Sequence, residues 1–490
     1  MNAPLRKVAI AVLVLFTLLI VNVNVIQVVR ASGLRENDRN TRQLSDQYNR
    51  ERGAIVVAGN EIASSVPSAP DDPLRFTRTY PQGPLYAPVT GYQSILATAS
   101  GLEEAEDAVL NGDDDRLFGR KVADIFTGRA LSGGNVDLTL DPAVQEAAME
   151  GLDGVTRAVV ALDPKTGAVL GLASTPTYDP NRLASHDLDA VRAYEAEITP
   201  AEGSGAADPT VNQATSERYP PGSIFKVVVS AAALADGEYT PDTVIAAPRD
   251  YVLPGTNTDL QNFGNEACDP SGQQRLIDAL TISCNTAFAQ LGIDLGKDRV
   301  REMAEAFGID DETIDMPLEV AGSTLGTFEG DAQLGQSSIG QSSVQLTPVQ
   351  AAMIASAVAN DGSLMKPFLV DSIQAPDLSV IDQTDPEEMS QPVSAEVAEQ
   401  LTTMMRSVVD NGTGRRARID GVQVAGKTGT AQNGTAEDPQ PDHNWFIGFA
   451  PADDPTIAVA VFVKNGGGTG GDTSAPIARA VMAAHLGQGD

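Results

Sequence analysis

Hydrophobic and polar positions divide the 490-residue chain into regions of clearly different texture. From Val8 to Val29 nearly every side chain is apolar, with Thr17, Asn22, Asn24 and Gln27 as the polar exceptions. About 20 such residues cross a bilayer as a helix. No second run of this length follows. Arg6 and Lys7 stand just ahead of it, so the positive-inside rule keeps the N-terminus cytoplasmic and puts everything after about residue 33 outside. The alternative is a cleaved signal peptide, which the length of the run and the lack of an evident cleavage site disfavour. The amide side chains in its outer half could face a partner helix.

Beyond the span the pattern predicts two folded units. Residues 34–52 are polar and suit an exposed helix or linker, a short strand follows at Ala54–Ala58, and 64–95 read as irregular or hairpin structure. Gly112–Arg116 is an acidic loop. Val136–Leu140 alternates as a strand, and Asp141-Pro142 caps a helix running to about Leu152. A boundary near there divides the chain into a cytoplasmic stub and anchor (1–33), a membrane-proximal pedestal (34–150) and a C-terminal unit (151–490). The last opens with a hairpin, Arg157–Leu162 and Ala168–Ser174, around the turn Asp163-Pro-Lys-Thr-Gly167. Residues 179–217 read as loop. Helices are expected at Val227–Leu234, 274–295, 298–307, 347–361 and 394–411, strands at Asn444–Ala450 and Thr456–Val463, and a last helix from about Ala475. Hairpin, helices, strands and helix in that order make an α+β fold.

Composition narrows the function. The 66 acidic against 33 basic residues leave a net charge of -33, and since residues 1–33 carry +3 the rest carries -36. That charge repels phosphate backbones and excludes a nucleic-acid partner. Two cysteines and three scattered histidines (His186, His443, His485) supply neither a disulfide scaffold nor a four-cysteine zinc site. Outside the cytoplasm a bond between Cys268 and Cys284 becomes permissible, closing a loop worth about 3 kcal/mol of chain entropy. The alternative is two unpaired thiols, one buried beside an apolar helix and one in the polar stretch around Asn265.

Three short patterns carry chemistry. Ser223-Ile-Phe-Lys226 follows Pro-Pro-Gly and precedes an apolar run, so it starts a buried helix whose first turn puts Ser223 and Lys226 on one face. A lysine whose pKa is lowered can deprotonate a serine nucleophile, and the helix N-terminus favours the oxyanion. Taken alone this spacing is common on exposed helices. Ser363-Leu-Met-Lys366 repeats it, but Pro367 disfavours helix there. Ser283-Cys-Asn285 lies where helices join; Ser283 could relay a proton and Asn285 hold a substrate amide, although a lone S-x-N is usually a cap. Lys427-Thr-Gly-Thr430 reads as an edge strand presenting Lys427, Thr428 and Thr430 on one face to a substrate carboxylate, with Gly429 letting substrate backbone approach. Lys165-Thr-Gly167 copies this pattern within a hairpin turn. No G-x-S-x-G elbow accompanies any serine, which argues against a Ser-His-Asp hydrolase.

The order S-x-x-K, S-x-N, K-T-G is strong jointly where each member is weak. With it stand Tyr178-Asp-Pro-Asn181, Tyr219-Pro-Pro-Gly222, Ile339-Gly-Gln341, Leu346-Thr-Pro-Val-Gln350 and Ala359-Asn360. The chain resembles the class B penicillin-binding proteins, membrane-anchored peptidoglycan D,D-transpeptidases, and most of all their short actinobacterial branch. The likeness covers about residues 135–490; upstream it thins to Arg52-Gly-Ala-Ile55, where the family continues Asp-Arg-Asn-Gly and this chain has Val57-Ala-Gly-Asn60. The resemblance implies a penicillin-binding, serine β-lactamase-like fold: an antiparallel sheet with helices on both sides and an all-α subdomain, behind an elongated, dimerisation-like pedestal. It implies Ser223, Lys226 and Ser283 as catalytic residues, and Asn285, Lys427, Thr428, Gly429 and Thr430 as substrate-binding residues. It implies no metal or organic cofactor. Its implied partners are lipid-linked or nascent peptidoglycan stem peptides, β-lactams as covalent inhibitors, the membrane, a membrane glycan polymerase and other division or elongation proteins. The alternatives are a D,D-carboxypeptidase or β-lactam-hydrolysing enzyme, a β-lactam sensor, for which about seven residues ahead of the span leave no room for an output domain, and a non-catalytic scaffold of the wall-synthesis complex.

Overall fold

The computed structural model of the chain describes residues 3–26, 48–96, 98–117, 119, 132–152, 156–311, 314, 316–434 and 438–488. Helix α1 (Ala3–Asn24) coincides with the apolar run, and its side chains from Arg6 on are exposed, as a lipid-facing helix requires. Thr17 and Asn24 return their side-chain hydrogens to the carbonyls of Leu13 and Ile20. Gln27 and residues 34–47 of the expected linker lie outside the described residues; at its end Tyr48 and Arg52 are buried rather than exposed, because the Arg52 guanidinium pairs with Glu103.

Two sheets follow. The first takes β1 (Ile55–Val57), β2 (Asn60–Pro67), β3 (Phe76–Thr79), β4 (Asn135–Leu138) and, from far along the chain, β7 (Val370–Gln374) and β8 (Val380–Gln383), in the order β8-β7-β4-β1-β2-β3. Only β1 and β4 run parallel; β7 pairs antiparallel with β4, Ile373 opposite Val136. The tail of this sheet is tied by Glu103, fully buried, which accepts from Arg52 Nε at 2.7 Å, Arg78 Nε at 2.6 Å and the Tyr80 hydroxyl at 3.1 Å. Two guanidiniums hold its carboxyl below the usual range against the opposing effect of burial. Region 64–95, expected to be irregular or hairpin, contains the β2–β3 hairpin and also α2 (Gly83–Thr90), a short helix entered through Pro84.

The second sheet is antiparallel, in the order β9 (Ala425–Gly434), β10 (Pro439–Ala450), β11 (Ile457–Val463), β5 (Arg157–Leu162) and β6 (Val169–Thr175). Every residue of β11 is buried. Alternation explains why: Ala158, Val160 and Leu162 of β5 enter one core with α9 (Pro348–Ala359), while Val159 and Ala161 enter another with α3 (Pro142–Glu150) and α11 (Gly470–His485). A sheet covered on both faces reads as continuous apolar runs, as these strands do. Asp141 caps α3 by accepting from Ala143 N at 2.9 Å. Region 179–217 is not all loop: Asp187 caps α4 (Leu188–Ile198), which packs Val191 and Tyr194 against Tyr178.

The all-α part consists of α5 (Lys226–Ala235), α6 (Leu276–Ile282), α7 (Asn285–Leu295), α8 (Lys297–Ala306) and α10 (Ala395–Asp410), packed in the same core as α9. The stretch expected as helix over 274–295 is broken between α6 and α7, where Ser283 adopts φ 64° and ψ 43°. Cys268 and Cys284 are joined by a disulfide.

Candidate active site

The site forms where three segments distant in sequence close on one another. Gly222–Phe225 is a turn of 3-10 helix leading straight into α5. Residues 226 to 234 are all buried, so the helix is held by its apolar length while its first turn borders the cleft. Gly222 adopts φ +54°, its N–H donates to Gly340 O at 2.9 Å, and a Cβ there would fall 2.5 Å from Thr430 O. Only glycine fits that turn. The Trp445 indole, fully buried, donates to Pro220 O at 2.9 Å and fixes the turn from behind. Ser223 itself is half-buried between buried neighbours, and its hydroxyl has no hydrogen bond among the described residues.

Lys226 is fully buried, and its amine donates to Ser283 O at 2.8 Å and Asn285 Oδ1 at 2.8 Å, with Ser283 Oγ at 3.3 Å. Lys427, also fully buried, donates to the same Ser283 Oγ at 2.9 Å and to Thr428 O at 2.7 Å. One hydroxyl thus bridges two amines. Burial drives the Lys226 pKa well below that of an ordinary lysine, and the charge of Lys427 drives it further; burial alone pushes Lys427 down to about 7. A neutral amine has two N–H bonds and one lone pair. With both hydrogens given to Ser283 O and Asn285 Oδ1, a neutral Lys226 would keep its lone pair, with Ser283 Oγ 3.3 Å away and Ser223 three residues earlier in the chain.

Residues inside and outside the three patterns hold this geometry. The left-handed Ser283 ends α6 and reverses the chain so that Ser283 and Asn285 both reach Lys226. Asn262 Oδ1 caps α7, accepting from the N–H groups of Asn285 and Thr286 at 3.0 Å each, and Asn285 Nδ2 donates to Gln261 O at 3.1 Å. The Asn285 amide is therefore oriented by Lys226 and Gln261, which use its oxygen and one of its two Nδ2 hydrogens. Asn262 and Trp445 escaped the sequence reading because their partners lie 23 and 225 residues away, where no local pattern reaches.

β9 is the edge strand of its sheet, as expected, but the expectation that Lys427, Thr428 and Thr430 share a face does not hold. Strand side chains alternate. Lys427 turns to Ser283, whereas the Thr428 hydroxyl lies 2.6 Å from that of Thr413, and Thr430 Oγ1 accepts from Gly470 N at 3.3 Å. Nor does Gly429 open space for a ligand: a Cβ there would lie 2.8 Å from Pro221 O, 2.9 Å from Trp445 Cβ and 3.0 Å from Ile224 Cγ2. Its smallness lets β9 dock on the turn of Ser223. Because Thr430 O lies against Gly222, the Thr430 peptide faces that turn rather than β10, and its N–H points along the same edge. The two sequence decoys are elsewhere: Lys165-Thr-Gly167 is a hairpin turn, and Ser363 donates to Glu388.

Residues 157–483 match the family described as the penicillin binding protein transpeptidase domain, and residues 52–136 the penicillin binding protein A dimerisation domain. The chain is 48% identical to the peptidoglycan D,D-transpeptidase PbpA of Mycolicibacterium smegmatis over the full length of both, and 46% identical to that of Mycobacterium tuberculosis over 99% of both. Among solved structures, M. tuberculosis penicillin-binding protein A as its ceftriaxone acyl-enzyme superposes with a TM-score of 0.85 at 45% identity, covering 90% of this chain and 99% of that one. The penicillin G acyl-enzyme of the same protein gives 0.84 at 45%, covering 89% and 100%.

Proposed function

Since the chain belongs to the class B penicillin-binding proteins and is a peptidoglycan D,D-transpeptidase of cell-wall synthesis, we propose how its residues divide that reaction. The Ser223 hydroxyl attacks the carbonyl of the penultimate D-Ala of a stem peptide, and the lone pair of Lys226 takes its proton. The resulting oxyanion is held by the backbone N–H groups of Ser223 and Thr430. As the tetrahedral intermediate collapses, the proton passes from Lys226 through Ser283 to the departing D-Ala amine, leaving the acyl group on Ser223. The amine of a second stem peptide then attacks, its proton returns by the same route, and the cross-link leaves with Ser223 restored. Thr428 and Thr430 receive the carboxylate of the terminal D-Ala. Lys427 adds charge from beneath in its protonated form, which a bound anion favours.

The observation that supports this reading best is the Lys226 amine. It is sealed from water on the first turn after Ser223, with its hydrogens given to Ser283 and Asn285. Asn285 then holds the base through Oδ1, and the second hydrogen of its Nδ2 remains for a substrate amide. We further assign residues 1–33 to the anchor, 34–150 to the pedestal and 151–490 to the catalytic unit, with α3 and β7–β8 interlocking the last two. Arg6–Asn24 is long and apolar enough to cross a membrane. The Arg6 and Lys7 charges favour a cytoplasmic N-terminus with the catalytic unit outside, next to a membrane glycan polymerase and other division or elongation proteins. Ser223→Ala should abolish covalent labelling by a fluorescent penicillin; labelling that persists refutes the assignment.

A further inference from the structure

We propose that Thr413 is a positioning residue for the substrate carboxylate, acting through Thr428. It stands outside the three sequence patterns, in the loop after α10, and it is exposed while Thr428, whose hydroxyl it meets, is buried. The loop is fixed in place. Thr413 N donates to Thr281 O at 3.3 Å, Gly412 packs without a side chain against the Thr281 carbonyl, Gly471 does the same against the Thr413 carbonyl, and Arg416 pairs with Asp472 at 3.2 Å. The Thr413 hydroxyl is thereby held 2.6 Å from that of Thr428.

A carboxylate only accepts hydrogen bonds, so any hydroxyl that holds it must donate. Each threonine hydroxyl has one hydrogen. Two hydroxyls at 2.6 Å share one hydrogen between them, and the other remains to be given away. Either hydroxyl can donate in this pair; when a carboxylate takes the Thr428 hydrogen, Thr413 must be the donor, and the bond Thr428 accepts polarises the hydrogen it gives. Thr430 is prepared in the same manner by a different donor: its oxygen accepts the N–H of Gly470 at the start of α11, which leaves its own hydrogen free. Thr428 and Thr430 are two residues apart on β9 and share a face, so the two prepared donors point to one place. The helix N-terminus adds positive potential there.

The inference rests on the site described above, and its test separates the two. Acylation of the full-length protein in detergent would be measured with benzylpenicillin and with its methyl ester, which lacks the anionic group. Thr413→Val, which removes the hydroxyl and keeps the shape, should lower the preference for the acid over the ester roughly tenfold, the size expected for one hydrogen bond. Thr413→Ser should keep the preference of the parent protein. Equal slowing of both compounds in Thr413→Val, or an unchanged preference, would overturn the role of Thr413, as would a Thr413→Ser protein that behaves like Thr413→Val. Parent protein that is not acylated at Ser223 by the acid would overturn the site itself, and the role of Thr413 with it.

Discussion

Adding one methyl group at Gly429 tests how the two halves of the site are joined. The new Cβ would meet Pro221 O at 2.8 Å, Trp445 Cβ at 2.9 Å and Ile224 Cγ2 at 3.0 Å. Carbon contacts are comfortable at about 3.5–4.0 Å, so β9 and the Ser223 turn must part by roughly 0.5–1 Å. None of the three neighbours is the end of a flexible chain: Pro221 O is backbone, Trp445 is fully buried with its indole committed to Pro220 O, and Ile224 is fully buried. Overpacking of this kind costs about 1–3 kcal/mol. The same parting moves the Thr430 N–H away from Ser223, and a displacement of about 1 Å costs on the order of 100-fold in rate. Gly429→Ala should therefore lower the thermal midpoint by a few degrees and slow acylation by a fluorescent penicillin by about 10- to 100-fold, measured on the same preparation. Gly330→Ala is the control, because its backbone is extended and open space surrounds it. It should change neither reading. If Gly429 were small in order to admit substrate, acylation would fall with the midpoint untouched. That result, or parental values of both, would refute the packing argument.

Asn285→Asp places an anion where the Lys226 amine now donates at 2.8 Å to a neutral oxygen. Opposite charge favours the protonated lysine, so acylation should fall at neutral pH and recover as pH rises; a pH profile parallel to that of the parent would count against Lys226 as the base. Lys427 predicts a pH dependence of stability. Its folded pKa of about 7 lies below the ordinary 10.5, so between those values the unfolded chain holds a proton that the folded chain has shed. Stability from this residue must then rise with pH across that window, and its burial costs most below about 7. Urea midpoints at pH 7 and pH 9 should rise more in the parent than in Lys427→Met; equal rises would contradict the buried, depressed lysine.

Much of the candidate site was legible because Ser223, Lys226, Ser283 and Lys427, which the fold brings together, sit in short patterns with fixed spacing and order. The N-terminal apolar helix, the hairpin β5–β6 and the helices α9 and α10 were legible for a similar reason, since runs or periods of apolar residues, and caps at Thr347 and Ser394, mark them within a few residues. Elements of weak periodicity were not. The helix α2 carries Pro88 in its interior, and α4 sits in an acidic stretch whose cap, Asp187, is one acid among several.

What the sequence alone determined was the class of the protein, together with the short patterns that nominate its reacting groups. The tertiary structure decided what those groups do to one another. It set two buried lysines on one Ser283 hydroxyl, which a spacing of 144 residues between Ser283 and Lys427 cannot express. It brought β7 back across more than 230 residues to pair with β4. It also divided Lys427 from Thr428 and Thr430, because a strand alternates whatever its motif spells, and it gave Thr428 a partner in Thr413 that no pattern names. Spacing along a chain fixes contacts only within a turn or a strand. Desolvation, and the pKa values that follow from it, depend on which distant segments close over the site.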